Sequence, residues 1–243
     1  MTTPRIRRIS DPSAIERAPD RIETLTVDGR AFTYHDVGVG PTVILAHGSG
    51  ASRSEWAPVV AALRDRHRVL TPHLLGYGRS EPSPMQERFH PWSDLGALIA
   101  LAERSDASVH LVGHSYGGAL ALEAARTLGS RARSLTLIDP VAFHLVRLHM
   151  SSHPERTAAV YRGIRTPTRL IAGQGSPRPA RAIVDELADI LGYAHVRVLA
   201  GAGHMSPITH PLEIAALVAE HIDDSYRSST DGYRRVLSRA SNG

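Results

Sequence analysis

An α/β fold, built on a mostly parallel sheet with helices on both faces, is what this sequence predicts. Three observations lead there. Short apolar runs alternate with helical patterns along the chain, strand then helix then strand. The runs are continuous rather than alternating, as in Val43-Ile-Leu-Ala46 or Leu135-Thr-Leu-Ile138, which is expected of strands covered on both sides. The length, 243 residues, suits one such domain or at most two small ones.

The elements follow in order. Residues 1–22 are polar, carry Pro4, Pro12 and Pro19, and read as an arm on the surface. Runs at 24–27 and 31–37 are strand-like and meet at Asp28-Gly29, a strong short hairpin signal. Buried-strand signals then recur at 42–46, 68–71, 109–113, 134–139, 168–172 and 195–199. Between them, 55–65 places Trp56, Val59, Val60 and Leu63 at helical spacing, and 92–103 does the same with Leu95, Leu98, Ile99 and Ala102. Helical patterns also cover 116–128, 178–191 and 211–223. From residue 224 the composition turns polar, so 23–223 is read as the domain and 224–243 as a loose tail with one short helix at most.

Composition removes several classes of function. Hydrophobic residues at 42% and charged residues at 21% are those of a folded globule, not a disordered or collagen-like chain. No stretch reaches the ~18 to 20 apolar residues of a membrane span, and the arginine-bearing N-terminus lacks the apolar segment of a secretory signal. Without cysteine there is no disulfide framework, thiolate metal site or cysteine nucleophile, and a cytoplasmic location is the default expectation. All the basic residues are arginine, yet the net charge is only +4 and the arginines are scattered. A nucleic-acid partner would call for a basic stripe interleaved with aromatics, so none is expected.

Gly113-His-Ser-Tyr-Gly117 carries the chemistry. It fits G-x-S-x-G between a strand and an Ala-rich helix. A serine on that sharp turn has its hydroxyl thrust out at the carboxyl edge of the sheet, and the helix behind it offers amides to an oxyanion. Ser115 is therefore the expected nucleophile. The strand ending in Ala46-His47-Gly48 can place the Ser49 N–H opposite the Tyr116 N–H, and these two amides are the expected oxyanion hole. His47 is expected to be scaffold. Among the 14 histidines, His204 stands apart: it follows the last strand, in Gly201-Ala-Gly-His204, and comes late enough to serve as the base. His35, His67, His90, His110, His195 and His221 are read as core or solvated residues.

These residues, with Gly76-Tyr-Gly-Arg-Ser80, resemble the α/β-hydrolase fold over roughly residues 24–223. The resemblance implies an eight-stranded sheet, a Ser–acid–His triad working without a cofactor, and a pocket under a cap inserted after the sixth strand. Two departures stand out. The turn after the seventh strand, where most relatives keep the acid, reads Gly173-Gln-Gly-Ser176 and has no carboxylate. Asp139, at the end of the sixth strand, is the family's alternative position and the acid expected here; otherwise the site is a Ser115–His204 dyad helped by Ser176. The cap, about 140–167, is short. Phe143 and Val146 from it, with Gly48, Gly50, His114 and Met205, are the expected pocket lining. His144, His149 and His153 lack carboxylate partners and are read as solvated, not as a metal site.

The expected activity is hydrolysis of an ester, thioester or lactone of a small organic substrate through an acyl-serine. C–C bond hydrolysis, perhydrolysis and a ligand-binding protein retaining the triad remain open. Oligomeric state is not legible.

Overall fold

The computed structural model describes residues 20–82, 91–105, 107–141 and 160–240. Strands β1 (Arg21–Val27), β2 (Arg30–Val37), β3 (Thr42–Ala46), β4 (Arg68–Pro72), β5 (Val109–His114), β6 (Ala132–Ile138), β7 (Thr168–Gly173) and β8 (Ala194–Leu199) form one eight-stranded sheet. Their order is β1-β2-β4-β3-β5-β6-β7-β8. β2 is antiparallel to β1 and β4, and the pairings from β4 through β8 are parallel. The Asp28-Gly29 turn has φ of 49° and 77°, the left-handed pair that matches the twist of a two-residue hairpin.

Helices lie on both faces: α1 (Ala57–Leu63), α2 (Pro91–Glu103), α3 (Tyr116–Leu128), α4 (Arg178–Ile190), α5 (Ser206–Thr209) and α6 (Pro211–Ala240). Successive strand residues feed opposite cores. Ile44, Leu70, Leu111 and Leu170 pack with Leu98 of α2, Leu120 of α3 and Leu187 of α4. Their neighbours Val43, Val69, Val112 and Ile171 pack with Val59 of α1 and with Ile214 and Val218 of α6. Two-sided burial is the reason the strand sequences are unbroken apolar runs.

Three expectations need correction. The strand at 195–199 was expected to be covered on both sides, but β8 is the sheet's edge and His195, Val196, Arg197 and Val198 are exposed. The short helix α5 carries no sequence signal. The tail does not begin at residue 224, because α6 continues through it to Ala240. Of the expected cap, residues 142–159 lie outside the described residues, and with them Phe143, Val146, His144, His149 and His153. Of the arm expected at 1–22, residues 1–19 lie outside as well, as does His90, and Arg21 and Ile22 belong to β1 because they pair with Asp36 and His35 of β2.

Polar contacts under α6 explain its extension. Arg169 of β7, 5% exposed, reaches Glu220 (2.9 Å) and Asp224 (3.3 Å) on the helix. Tyr226 hydrogen-bonds His110 of β5 (2.9 Å), which also meets Ser134 Oγ (2.8 Å), and the Arg133 guanidinium lies over the Tyr226 ring at 4.2 Å. His221 Nδ1 meets Thr136 Oγ1 at 2.9 Å. These residues come from three strands and one helix, so no local pattern shows the seam.

That seam makes the fold acid-sensitive. Burial lowers the His110 pKa to about 3 and that of His221 to about 4, and it lowers His67 as well. An unfolded chain takes up these protons below about pH 6.5, whereas the folded one refuses them. Stability is therefore complete above that pH and falls as pH drops toward the folded values. Denaturant unfolding at pH 7 and pH 5 should differ by about 2 kcal/mol for each of the two more strongly shifted histidines. Equal stability at the two values would contradict the prediction.

Candidate active site

The strand-to-helix turn puts Ser115 at the carboxyl edge of β5, with φ of 52° and ψ of −116°. Only three described non-glycine residues have positive φ, and Ser115 and Asp139 (φ 40°) are two of them. Backbone strain of this kind costs ~1 to 3 kcal/mol and persists where the surroundings force it. Here the forcing is visible. The Ser115 amide donates to Ile138 O (2.9 Å), and its carbonyl accepts from Gly118 and Val141. The turn closes only on glycine: a Cβ at Gly113 would sit 2.2 Å from Gly117 O, and one at Gly117 would sit 2.1 Å from Ala46 O.

His204 Nε2 lies 3.0 Å from Ser115 Oγ. Its loop is fixed by the end of β7, where Gln174 N–H donates to Leu199 O and Gly175 N–H to Ala202 O. Burial lowers the His204 pKa below the ordinary value; His114 adds to the lowering and Asp139 opposes it. Asp139 is fully buried at the end of β6. Its Oδ2 accepts from Ser176 Oγ (2.8 Å) and Gly173 N–H (3.3 Å). Its Oδ1 and His204 Nδ1 are both buried and both lack a hydrogen-bond partner among the described residues. Two such orphans in one site are complementary, since a buried unmatched polar atom costs ~1 to 3 kcal/mol. Ser176 therefore holds Asp139, and no hydrogen bond joins it to His204 among the described residues. Burial raises the Asp139 pKa, against its hydrogen bonds and the nearby His204.

The loop after β3 faces Ser115 from across the elbow. A Cβ on Gly48 would come within 2.9 Å of His114 Nδ1 and 3.2 Å of Ser115 Cβ, so only glycine fits there. The amides on either side of Ser49 are committed, Gly48 N–H to Glu55 Oε1 (2.9 Å) and Gly50 N–H to Tyr77 Oη (2.7 Å). Tyr116, whose amide begins α3, ties its hydroxyl to Asp94 at 2.9 Å, and Asp94 also accepts from Leu75 N–H. His47 is scaffold. It donates from Nδ1 to Gly48 O (2.9 Å), Nε2 accepts from Leu74 N–H, and burial lowers its pKa.

His114 is not a pocket residue. It is 1% exposed, and its ring is used from both sides, by Glu55 Oε2 at 3.0 Å and by the His204 carbonyl at 2.8 Å. Gly50 and Met205 do reach the surface, and Gly48 is buried behind them. Beside them a cleft of about 530 Å³ is lined by Gly50, Ala51, Ser52, Glu55, Pro207 and Ile208. Sequence reasoning missed Glu55 and Asp94. Each is a carboxylate on a predicted helix, and neither carries a local signal of burial. No group of three or more His, Asp or Glu able to hold a metal ion occurs among the described residues, nor is any helix there long and apolar enough to cross a membrane.

The family model for the alpha/beta hydrolase fold matches residues 41–170, more than half of the chain. The chain belongs to the α/β hydrolase fold family. Within that family it is 35% identical over 133 residues to 2-hydroxymuconate semialdehyde hydrolase from Pseudomonas sp. strain CF600, covering 52% of this chain and 46% of that one. The chain spans about half the length of the curated relatives it matches. Among solved structures, a bacterial membrane phospholipase A superposes with a TM-score of 0.71 at 20% identity, covering 85% of this chain and 87% of the other. The enol-lactonase from Burkholderia xenovorans LB400 superposes with a TM-score of 0.68 at 20% identity, covering 83% of this chain and 100% of the lactonase. At that identity these two show a shared fold.

Proposed function

We propose that this chain is a serine hydrolase cleaving the carboxylic ester, thioester or lactone of a small organic substrate through an acyl-Ser115 intermediate. The 3.0 Å contact between Ser115 Oγ and His204 Nε2 carries the reading. Ser115 Oγ attacks the carbonyl carbon as its proton passes to His204 Nε2. The imidazolium so formed donates from Nδ1 to Asp139 Oδ1, which gives both orphaned atoms their partner. The tetrahedral oxyanion accepts from the Ser49 and Tyr116 amides. His204 returns the proton to the leaving oxygen or sulfur, then takes one from the water that frees the acid. The cleft beside Gly50 and Ile208 is the proposed route for one end of the substrate. No cofactor enters these steps.

Hydrolysis of a 2-hydroxymuconate semialdehyde-like substrate is the second reading, favoured by the 35% identity to the Pseudomonas enzyme. A panel of p-nitrophenyl acyl esters, lactones and that semialdehyde separates the two, and turnover of none of them would leave a binding protein. Intact mass after fluorophosphonate treatment should show one adduct, mapped by peptide digestion to Ser115.

The pH profile follows from His204. The base works only when neutral, so kcat/KM should rise as pH climbs through its pKa and then flatten. A free histidine would place the midpoint near 6 to 7; burial moves it to the lower side. A profile flat from pH 5 to 9 would remove His204 from the base's role.

A further inference from the structure

Glu55 and His114 join three parts of the site that the chain keeps far apart. Glu55 lies in the 3-10 turn Arg53–Trp56, His114 is the last residue of β5, and His204 follows β8. Glu55 Oε1 accepts from the Gly48 amide, Oε2 meets His114 Nδ1, and His114 Nε2 meets the His204 carbonyl. Both side chains are 1% exposed. We propose that Glu55 and His114 form a buried carboxylate–imidazolium pair that positions the Ser49 loop and the His204 loop about Ser115. This inference rests on the function proposed above and makes both residues positioning residues.

Counting donors supports it. A carbonyl oxygen only accepts, so Nε2 of His114 must carry a proton. The contact to Glu55 then needs one more proton between Nδ1 and Oε2. Imidazole is the stronger base of the two by ~2 pKa units in water. The Gly48 amide favours the carboxylate, and the His204 carbonyl favours the cation. The other titratable groups facing the pair are His47, Asp139 and His204 itself. The His114 ring lies 5.3 Å from that of His204, and its charge resists a second cation there. Glu55 stands behind His114, so the cation is the nearer of the two charges to the base.

Glu55→Gln is the discriminating variant. Its amide oxygen can still accept from Gly48 and its NH2 can donate to a neutral His114, which keeps the shape and removes the charge pair. The first readout needs no turnover: side-chain ¹⁵N spectra at pH 7.5 should show both His114 nitrogens protonated in the wild type and only Nε2 protonated in Glu55→Gln. His114→Gln assigns the signals. A neutral His114 in the wild type overturns the proposal. The second readout is kinetic: Glu55→Gln should lose about 10-fold in kcat with KM changed less than threefold, and its acid limb should move to higher pH. Glu55→Ala, which also frees the Gly48 amide, should lose more, about 100-fold. Wild-type kcat, KM and acid limb in Glu55→Gln overturn the positioning role. Absence of a fluorophosphonate adduct on Ser115 in the wild type would instead overturn the serine-hydrolase reading, and the ¹⁵N result would stand apart from it.

Discussion

Ser115→Ala should lower kcat for any ester the protein turns over by about 10⁶-fold, leaving what the oxyanion amides and binding supply by themselves. The size follows from the site acting as a unit. His204 Nε2 has the Ser115 hydroxyl at 3.0 Å, and without that oxygen the base has no nucleophile to activate. The fold should survive. The elbow's φ of 52° is no worse for alanine than for serine, and the Ser115 backbone bonds to Ile138, Gly118 and Val141 do not involve the hydroxyl. Fluorophosphonate labelling should vanish together with turnover, while the thermal midpoint moves by only a few degrees. Residual activity above a few per cent in pure mutant protein would place the nucleophile elsewhere.

Asp139→Asn is expected to cost about 10² to 10⁴ in kcat. Asparagine keeps the size and tolerates the left-handed backbone of this position (φ 40°), so the turn after β6 is retained. It can still accept from Ser176 and Gly173 through its oxygen, which turns its NH2 toward His204 Nδ1. That favours the wrong imidazole tautomer and removes the charge facing the imidazolium. The loss should lie in kcat rather than KM, because the interaction strengthens only as the imidazolium forms. Ser176→Ala is the control. Its hydroxyl acts on Oδ2 and not on His204, so its loss should cost less than tenfold. If Ser176→Ala cripples the enzyme and Asp139→Asn does not, Asp139 is a turn residue and the site is a dyad.

The proposed nucleophile, Ser115, and the proposed base, His204, were legible because their signals are local. Gly113 and Gly117 flank Ser115 within one turn, and the clashes a Cβ would cause there explain why the motif needs glycine. Strand and helix positions were legible for a related reason: residues buried on both sides of a sheet leave unbroken apolar runs. The proposed acid was only half legible. Asp139 and Ser176 both end strands, and which of them stands behind His204 depends on β6 and β7 pairing with Ile138 beside Ile171.

By itself the sequence determined the fold class, the elbow, the glycine-bound turns and the place of His204 after the last strand, all set by residues within a few positions of one another. The tertiary structure alone decided what depends on register and on distant partners. It turned His114 away from the pocket and onto Glu55, 59 residues away. It assigned Ser176 to Asp139, exposed β8 as an edge, and anchored α6 past Asp223 through Arg169 and His110. The physical reason is the same in each case. Local preference fixes backbone shape over one turn or one strand, whereas the partner of a buried polar group is chosen by whichever element the sheet brings against it, and sequence spacing does not record that choice.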